Sequence, residues 1–261
     1  MNKKIGFIGC GEMAKAIIKS LDSDTEIIAS TRSFETAQKA SEELNIKVIN
    51  NNKEVTRFAD IIFIATKPNQ VESVLNEIKE DLNNDKLIVS IAAGVSTKKI
   101  ENIIGQLPVI RVMPNTPAQI KEGMSATAKG LFANEEHELL VHNILNKIGK
   151  VISVEESQID IVTAISGSGP AFFYQIFEDI AQAGAKLGLD YEKSLILAVQ
   201  TAIGSAKMTL NREKSLPDLI SSVSTKGGCT EVGINTMRNL NSSNLFNTVI
   251  ANTAKKASEL G

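Results

Sequence analysis

Gly6-Phe7-Ile8-Gly9-Cys10-Gly11-Glu12-Met13-Ala14 follows directly on Lys4-Ile5. Lys4 to Ile8 is a short apolar run closed by Gly9, which reads as a buried strand, and Gly11 to Leu21 reads as a helix. Between them lies Gly9-x-Gly11-x-x-Ala14, in the strand–turn–helix setting that a dinucleotide site requires. Gly9 permits the tight turn, Gly11 lets the backbone approach a pyrophosphate, and Ala14 lets the helix pack close on the strand. The helix N-terminus offers N–H groups to the anion. Cys10, Glu12 and Met13 complete the stretch. A carboxylate at Glu12 would repel a phosphate if it faced the turn; pointing outward it favours the helix start. The bland alternative is a structural glycine turn with no ligand.

Outward from this turn the pattern repeats. Strands are expected at Glu26–Ser30, Lys47–Ile49, Ile61–Ala65, Leu87–Ile91, Val109–Val112, Met124–Ala128 and Val151–Val154. Helices alternate with them at Phe34–Leu44, up to Phe58, at Val71–Ile78, from Ser96, and at Asn134–Ile148. Such alternation implies parallel βαβ units and a doubly wound α/β sheet with both faces covered. A dinucleotide-binding domain is therefore expected over residues 1–156.

From Ile159 onward the chain reads as helix only: Pro170–Leu187, Tyr191–Leu210, Leu216–Ser222, Cys229–Leu240 and Ser243–Leu260. Ser166-Gly167-Ser168-Gly169-Pro170 looks like a helix start, with Ser166 and Ser168 as caps and Pro170 in the first turn. Phe173, Ile176, Phe177, Ile180, Gly184 and Leu187 then draw one apolar stripe. The helix after the Gly188-Leu189-Asp190 turn is apolar or small nearly all round, from Leu195 to Ala206, and a helix without a polar face is buried on all sides. About a hundred residues have difficulty enclosing it, so residues 157–261 are expected to form a helical domain that intertwines with a second copy.

Composition sets the outer bounds. The 261 residues carry 28 basic and 30 acidic side chains and no tryptophan, so no nucleic-acid surface is supported. Cys10 and Cys229 make neither a metal spacing nor a disulfide framework, and a reducing cytoplasm is the default. No apolar run is long enough for a membrane span or a signal-peptide core.

The end of the second strand reports on the cofactor. A site for NAD places Asp or Glu there. Here the residues are Ser30-Thr31-Arg32-Ser33, hydroxyls and a guanidinium, which suit a 2′-phosphate. NADPH is favoured and NADH stays open. Two more loops leave strand ends, Ala65-Thr66-Lys67-Pro68 and Met113-Pro114-Asn115-Thr116 after Arg111. Each pairs rigid prolines with hydrogen-bonding side chains suited to a nicotinamide and its ribose. Ser222 to Glu231 sets hydroxyls and the pair Gly227-Gly228 before a helix start, a nest of N–H groups suited to a carboxylate. Its bland reading is a hydroxyl-rich helix cap. His137 and His142 fall in an outer helix and are expected to face solvent.

Taken in order, these pieces resemble pyrroline-5-carboxylate reductase over essentially the full length. The match includes the glycine fingerprint, Ala65-x-Lys67-Pro68, and Arg111-x-Met113-Pro114-Asn115-Thr116-Pro117. Its most specific part is Asp160-x-x-Thr163-x-x-Ser166-Gly167-Ser168-Gly169-Pro170-Ala171. The family usually carries Ser-Pro-Gly-Gly-(Thr/Ala)-Thr, where this chain has Thr225-Lys226-Gly227-Gly228-Cys229-Thr230. The resemblance implies a Rossmann-like domain followed by an all-helical dimerisation domain that interlocks two subunits, as a homodimer or a larger assembly of dimers. It implies hydride transfer to the imine carbon of 1-pyrroline-5-carboxylate, a small-molecule substrate, giving L-proline. It assigns Thr225, Gly227, Gly228, Cys229 and Thr230 to the substrate: the amides of Gly227, Gly228 and Cys229 to its carboxylate, the Thr230 hydroxyl to its ring nitrogen. The loop and the nicotinamide would come from different subunits. The runner-up reading is a related imine reductase or 3-hydroxyacid dehydrogenase; the latter's catalytic lysine has no match in Lys186 or Lys207. A non-enzymatic NADP-binding module is the remaining alternative.

Overall fold

The computed structural model describes residues 3–211 and 213–259. Eight strands form one sheet among them: β1 (Ile5–Ile8), β2 (Ile27–Ser30), β3 (Lys47–Ile49), β4 (Ile61–Ile64), β5 (Leu87–Ser90), β6 (Val109–Met113), β7 (Gly123–Lys129) and β8 (Gly149–Ser153), in the order β3-β2-β1-β4-β5-β6-β7-β8. The helices between them are α1 (Glu12–Ser20), α2 (Phe34–Leu44), α3 (Asn52–Phe58), α4 (Pro68–Ile78), α5 (Thr97–Ile104) and α6 (Glu135–Leu145). The short α7 (Ile159–Val162) follows β8. The rest is helical: α8 (Gly169–Lys186), α9 (Tyr191–Leu210), α10 (Leu216–Val223), α11 (Cys229–Asn239) and α12 (Ser242–Ser258). The expected helix end at Leu260 lies outside the described residues.

Alternation along each strand explains why the sheet is covered twice. Ile5 and Phe7 of β1 join Phe63 and Val89 on one face, under Ala14 and Ile17 of α1 and Val141 and Ile144 of α6. Ile8 joins Ile62, Ile64 and Ile88 on the other face, under Val55, Leu75 and Ile100 of α3, α4 and α5. Phe7 and Phe63 stack at 4.7 Å between ring centroids on the neighbouring strands β1 and β4. Side chains of this size contribute roughly 1.5–3 kcal/mol each when fully buried.

The sheet departs from the expected all-parallel pattern at one place. β7 pairs antiparallel with β6, and β8 runs parallel to β7. The connection from β6 to β7 carries only a short 3-10 turn, Thr116–Ile120. A parallel crossover needs a dozen or more residues, so this link can only turn the chain back.

Two compact units result. One takes the chain up to Ser168 together with its final turns from Ala251, and the other is Gly169–Ile250. The expected capped helix start at Ser166–Pro170 takes a different form. α7 runs on into a π-helical turn over Thr163–Gly167, in which the Ser168 N–H donates to Thr163 O at 2.8 Å. The Ser166 hydroxyl faces back to Asn115 Nδ2 at 3.3 Å instead of capping α8.

In the second unit α8 and α9 form a hairpin. α8 ends at Gly188 in positive φ, with Leu189 N–H donating to Gly184 O at 3.1 Å, and Asp190 caps α9 by accepting from Lys193 N–H at 3.0 Å. Tyr191 donates to Glu178 at 2.5 Å, which lowers the Glu178 pKa and raises that of the phenol. Gly184 sets how closely the two helices approach: a Cβ built there would stand 2.9 Å from Ser194 Cβ. Gly184→Ala is therefore expected to destabilise the protein by roughly 1–3 kcal/mol through overpacking, read as a lower urea midpoint.

Within one chain α9 is not enclosed as its composition demands. Ser194 is its one buried residue among those described, while Ile196 and Leu197 are 66% and 58% exposed. Phe173, Phe177 and Ile180 of α8 line an open apolar groove of about 530 Å³ with Leu197 and Ala198. A helix pair this apolar requires a further surface to cover it.

Candidate active site

The first site forms where β1, β2 and β4 end side by side. Gly9 takes φ +96°, with its N–H donating to Ser30 O at 3.0 Å, and a Cβ there would stand 2.6 Å from Ala65 O. Only glycine turns the chain here. Gly11 caps α1 with no side-chain hydrogen bond, and a Cβ there would meet no protein atom within 4 Å. The first-turn amides of α1 have no intrahelical partner, and the space beside Gly11 is open among the described residues. Ala14 is buried against the sheet, as its small size allows.

These ends frame a cavity of about 710 Å³. Gly9, Cys10 and Gly11 line it, with Ser30, Thr31 and Arg32, and with Ala65, Thr66 and Lys67. Burial pushes the Cys10 thiol up, so it sits beside the turn as a neutral group. Glu12, Met13, Ala14, Ser33 and Pro68 do not line the cavity. Glu12 points outward to Lys15 Nζ at 3.4 Å. Lys15 also reaches Glu43 at 2.5 Å, and with Lys19 it holds that carboxyl down to about 2. The Ser33 hydroxyl caps α2 by accepting from the Thr36 N–H at 3.3 Å.

The sequence reading missed part of the wall. Thr36, Asn50, Asn51, Asn52 and Glu77 also line the cavity. Asn52 is held at both ends of its amide: Ser30 Oγ donates to Oδ1 at 2.6 Å, and Nδ2 donates to Glu77 at 2.9 Å. The run Asn50-Asn51-Asn52 directly after β3 was the signal, because ligands in such sheets lie beyond the carboxyl ends of the strands.

Met113, Pro114, Asn115 and Thr116 do not line the cavity. Met113 packs with Ala126, Ala128 and Ile159, and its Sδ lies 3.5 Å from where a Gly167 Cβ would be. Asn115 is a clasp: its Oδ1 accepts from Met124 N–H at 2.8 Å and its Nδ2 reaches Ser166. Thr116 is exposed. Just upstream, buried Arg111 pairs with Glu156 at 3.4 Å, and Glu156 accepts from the Thr97 N–H at 2.7 Å.

The histidines are not solvent-facing as expected; both are half-buried. His137 Nδ1 accepts from Asn134 N–H at 3.2 Å in a reciprocal cap, and burial lowers its pKa. His142 Nε2 lies 2.8 Å from Thr127 Oγ1, whose proton goes to the buried Glu138 at 2.7 Å. With that proton spent, the imidazole N–H is the donor to Thr127. Both are structural.

The dinucleotide test is met by the donor set. The cavity holds a positive-φ glycine turn, an open helix N-terminus, and a buried Thr66 Oγ1 with no hydrogen-bond partner among the described residues. A buried hydroxyl left unpaired is costly, and a ligand atom beside it relieves that cost.

The second unit carries the other candidate loop. Gly227 takes φ +77°, and its N–H donates to Glu231 Oε2 at 2.7 Å. Gly228 closes a turn by donating to Thr225 O at 2.9 Å, and a Cβ there would stand 2.6 Å from Thr225 Oγ1. Cys229 and Thr230 open α11, where first-turn amides have no intrahelical partner. The Cys229 thiol is exposed and Thr230 half-buried. Lys226 is exposed beside them, and Lys186 and Lys207 sit exposed in the last turns of α8 and α9.

The turn, the cavity and the sheet define an oxidoreductase that binds a nicotinamide dinucleotide, and residues 4–94 match the family described as NADP oxidoreductase, coenzyme F420-dependent. Residues 156–260 match the family described as pyrroline-5-carboxylate reductase dimerisation. The pyrroline-5-carboxylate reductase of Methanosarcina acetivorans is 34% identical, over 100% of this chain and 98% of its own. The solved pyrroline-5-carboxylate reductase of Coxiella burnetii superposes with a TM-score of 0.94 at 32% identity, covering 100% of this chain and 99% of the other. The pyrroline carboxylate reductase of Plasmodium falciparum, solved with NADP bound, gives a TM-score of 0.87 at 30% identity, covering 100% of this chain and 98% of the other. The chain belongs to the pyrroline-5-carboxylate reductase family. Its helical half accordingly makes it an oligomer. Among the described residues no helix is long and apolar enough to cross a membrane.

Proposed function

We infer that this chain reduces the C=N bond of 1-pyrroline-5-carboxylate to L-proline, the last step of proline biosynthesis. The observation that carries this is the length of the likeness: identities of 30–34% run over the whole chain, helical half included. A likeness confined to the dinucleotide unit would leave the substrate open. The bound nicotinamide supplies the hydride.

The chain's own residues hold and orient. The amides of Cys10 and Gly11 and those at the start of α1 carry the pyrophosphate. Ala65–Pro68 serve the nicotinamide end, with the Thr66 hydroxyl as a donor. In the helical half, Thr225 and Gly228 shape the loop, while the amides of Gly227, Cys229 and Thr230 anchor the substrate carboxylate. The Thr230 hydroxyl orients the ring nitrogen and holds its proton. A protonated imine is already a strong electrophile, so orientation matters more than a strong acid. No histidine or lysine is needed.

NADPH is the preferred donor. No carboxylate stands in Ser30–Ser33 to take a ribose 2′-hydroxyl, while Arg32 and the capped start of α2 offer donors to a 2′-phosphate. Arg32→Ala is expected to raise the KM for NADPH by roughly tenfold or more and to leave that for NADH within about twofold, since a charge-assisted phosphate contact is lost. The assembly is a homodimer or a set of dimers built on α8 and α9, working on a small molecule in a reducing cytoplasm. Steady-state oxidation of NADPH and of NADH with 1-pyrroline-5-carboxylate tests the function. Rapid turnover with proline formed is the expected result. Cofactor binding without turnover would contradict it.

A further inference from the structure

We propose that Glu231 is a built-in competitor for the substrate carboxylate and sets the substrate affinity of this enzyme. The proposal rests on the reading of Thr225–Thr230 as the carboxylate site.

Three amides of that loop are nominally available, those of Gly227, Gly228 and Cys229, with Thr230 next in line. Their actual use differs. The Gly228 N–H is committed to the turn, at 2.9 Å from Thr225 O. The Gly227 N–H, which its positive φ turns out of the loop, already carries a carboxylate, Glu231 Oε2 at 2.7 Å. Cys229 and Thr230 remain as the first open amides of α11. A substrate carboxylate therefore meets two open donors and one donor occupied by a group of its own chemical type.

Glu231 is the third residue of α11, close enough to reach back over the helix start. In that respect it acts as a helix cap, and its charge also suits the helix N-terminus. The same two properties make it a rival. An incoming carboxylate must either displace Glu231 from the Gly227 N–H or bind beside it. Displacement exchanges one charge-assisted hydrogen bond for another of similar strength, so little is gained from the third donor. Binding beside it sets two like charges a few ångströms apart, which disfavours the pair. By either route Glu231 weakens the hold on a carboxylate and leaves the hold on the imine ring untouched. The exposed Lys226 stands next to Gly227, where the loop pattern of the family usually has proline.

The test compares two substrates, 1-pyrroline-5-carboxylate and 1-pyrroline, which has the same imine but no carboxylate. The full-length wild type, Glu231→Gln and Glu231→Ala are assayed with saturating NADPH. Gln still accepts from the Gly227 N–H but carries no charge; Ala removes both functions. Melting temperatures of all three are recorded alongside. Glu231→Gln is expected to lower the KM for 1-pyrroline-5-carboxylate by about fivefold or more, because a like charge and a charged rival acceptor are both removed. Its KM for 1-pyrroline should move by less than about twofold, and Glu231→Ala should follow the same pattern with a lower melting temperature from the lost cap. An unchanged or higher KM for 1-pyrroline-5-carboxylate in Glu231→Gln overturns the proposal and leaves Glu231 as a cap alone. Equal shifts for both substrates overturn it as well. If instead the wild type shows the same kcat/KM on both imines, the loop does not read a carboxylate, and the site assignment falls together with the proposal.

Discussion

Gly9→Ala removes measurable dinucleotide binding and lowers stability by several kcal/mol. The backbone at this position has φ +96°, outside the range that a Cβ tolerates. The added carbon would also stand 2.6 Å from Ala65 O, 2.7 Å from Ala65 C and 3.0 Å from Thr66 N. These are backbone atoms at the end of β4 and cannot rotate away. The cost combines about 1–2 kcal/mol of backbone strain with an overpacking cost of about 1–3 kcal/mol. Urea unfolding of the free protein reads the stability, and fluorescence titration with NADPH reads the binding. Gly11→Ala separates the two effects. There φ is −79° and a new Cβ meets no protein atom within 4 Å. Its urea midpoint is expected to stay near that of the wild type while NADPH affinity falls, because the methyl occupies the space where the pyrophosphate approaches.

Thr230→Ala lowers turnover by roughly a hundredfold while NADPH still binds. Thr230 is the second residue of α11, half-buried, and set beside the Gly227–Cys229 turn. In the proposed site its hydroxyl is the one side-chain group that orients the imine nitrogen. Losing a single oriented hydrogen-bonding group in a closed site commonly costs about 2.7–4 kcal/mol of barrier, or two to three powers of ten in rate. The dinucleotide cavity lies in the other compact unit, so the fluorescence titration should be unaffected. A rate within twofold of wild type would remove Thr230 from the chemistry. A matched fall in binding and turnover would mean that the substitution disturbed the fold instead.

The dinucleotide half was legible because its signals are local. Each buried strand is a short apolar run, each helix carries one apolar stripe, and Gly9-x-Gly11-x-x-Ala14 joins the first pair. The antiparallel turn into β7 was not legible, since Met124–Ala128 reads the same in either direction; only the shortness of the preceding link decides it. Ser166 and Ser168 misled for a related reason. Hydroxyls before a proline are typical caps, yet here tertiary contact with Asn115 and a continuing π-helical turn take precedence. Asn115 itself has the amide expected of a ligand-binding loop and uses it to fasten Met124 and Ser166. His137 and His142 follow polar positions on an outer helix, but the buried Glu138 and Thr127 draw His142 inward. The nature of α9 was legible, and so was its shortage of cover: an all-apolar helix demands burial, one chain supplies only part of it, and residues 156–260 match a dimerisation family.

Hydride transfer to the imine carbon is tested most directly with NADPH carrying two deuterium atoms at nicotinamide C4, 1-pyrroline-5-carboxylate as substrate and mass spectrometry of the product. The expected product is L-proline one mass unit heavier than the unlabelled product, with the deuterium at the ring carbon that was the imine carbon. Proline without the label, or label recovered only in the oxidised cofactor with no proline formed, would contradict it.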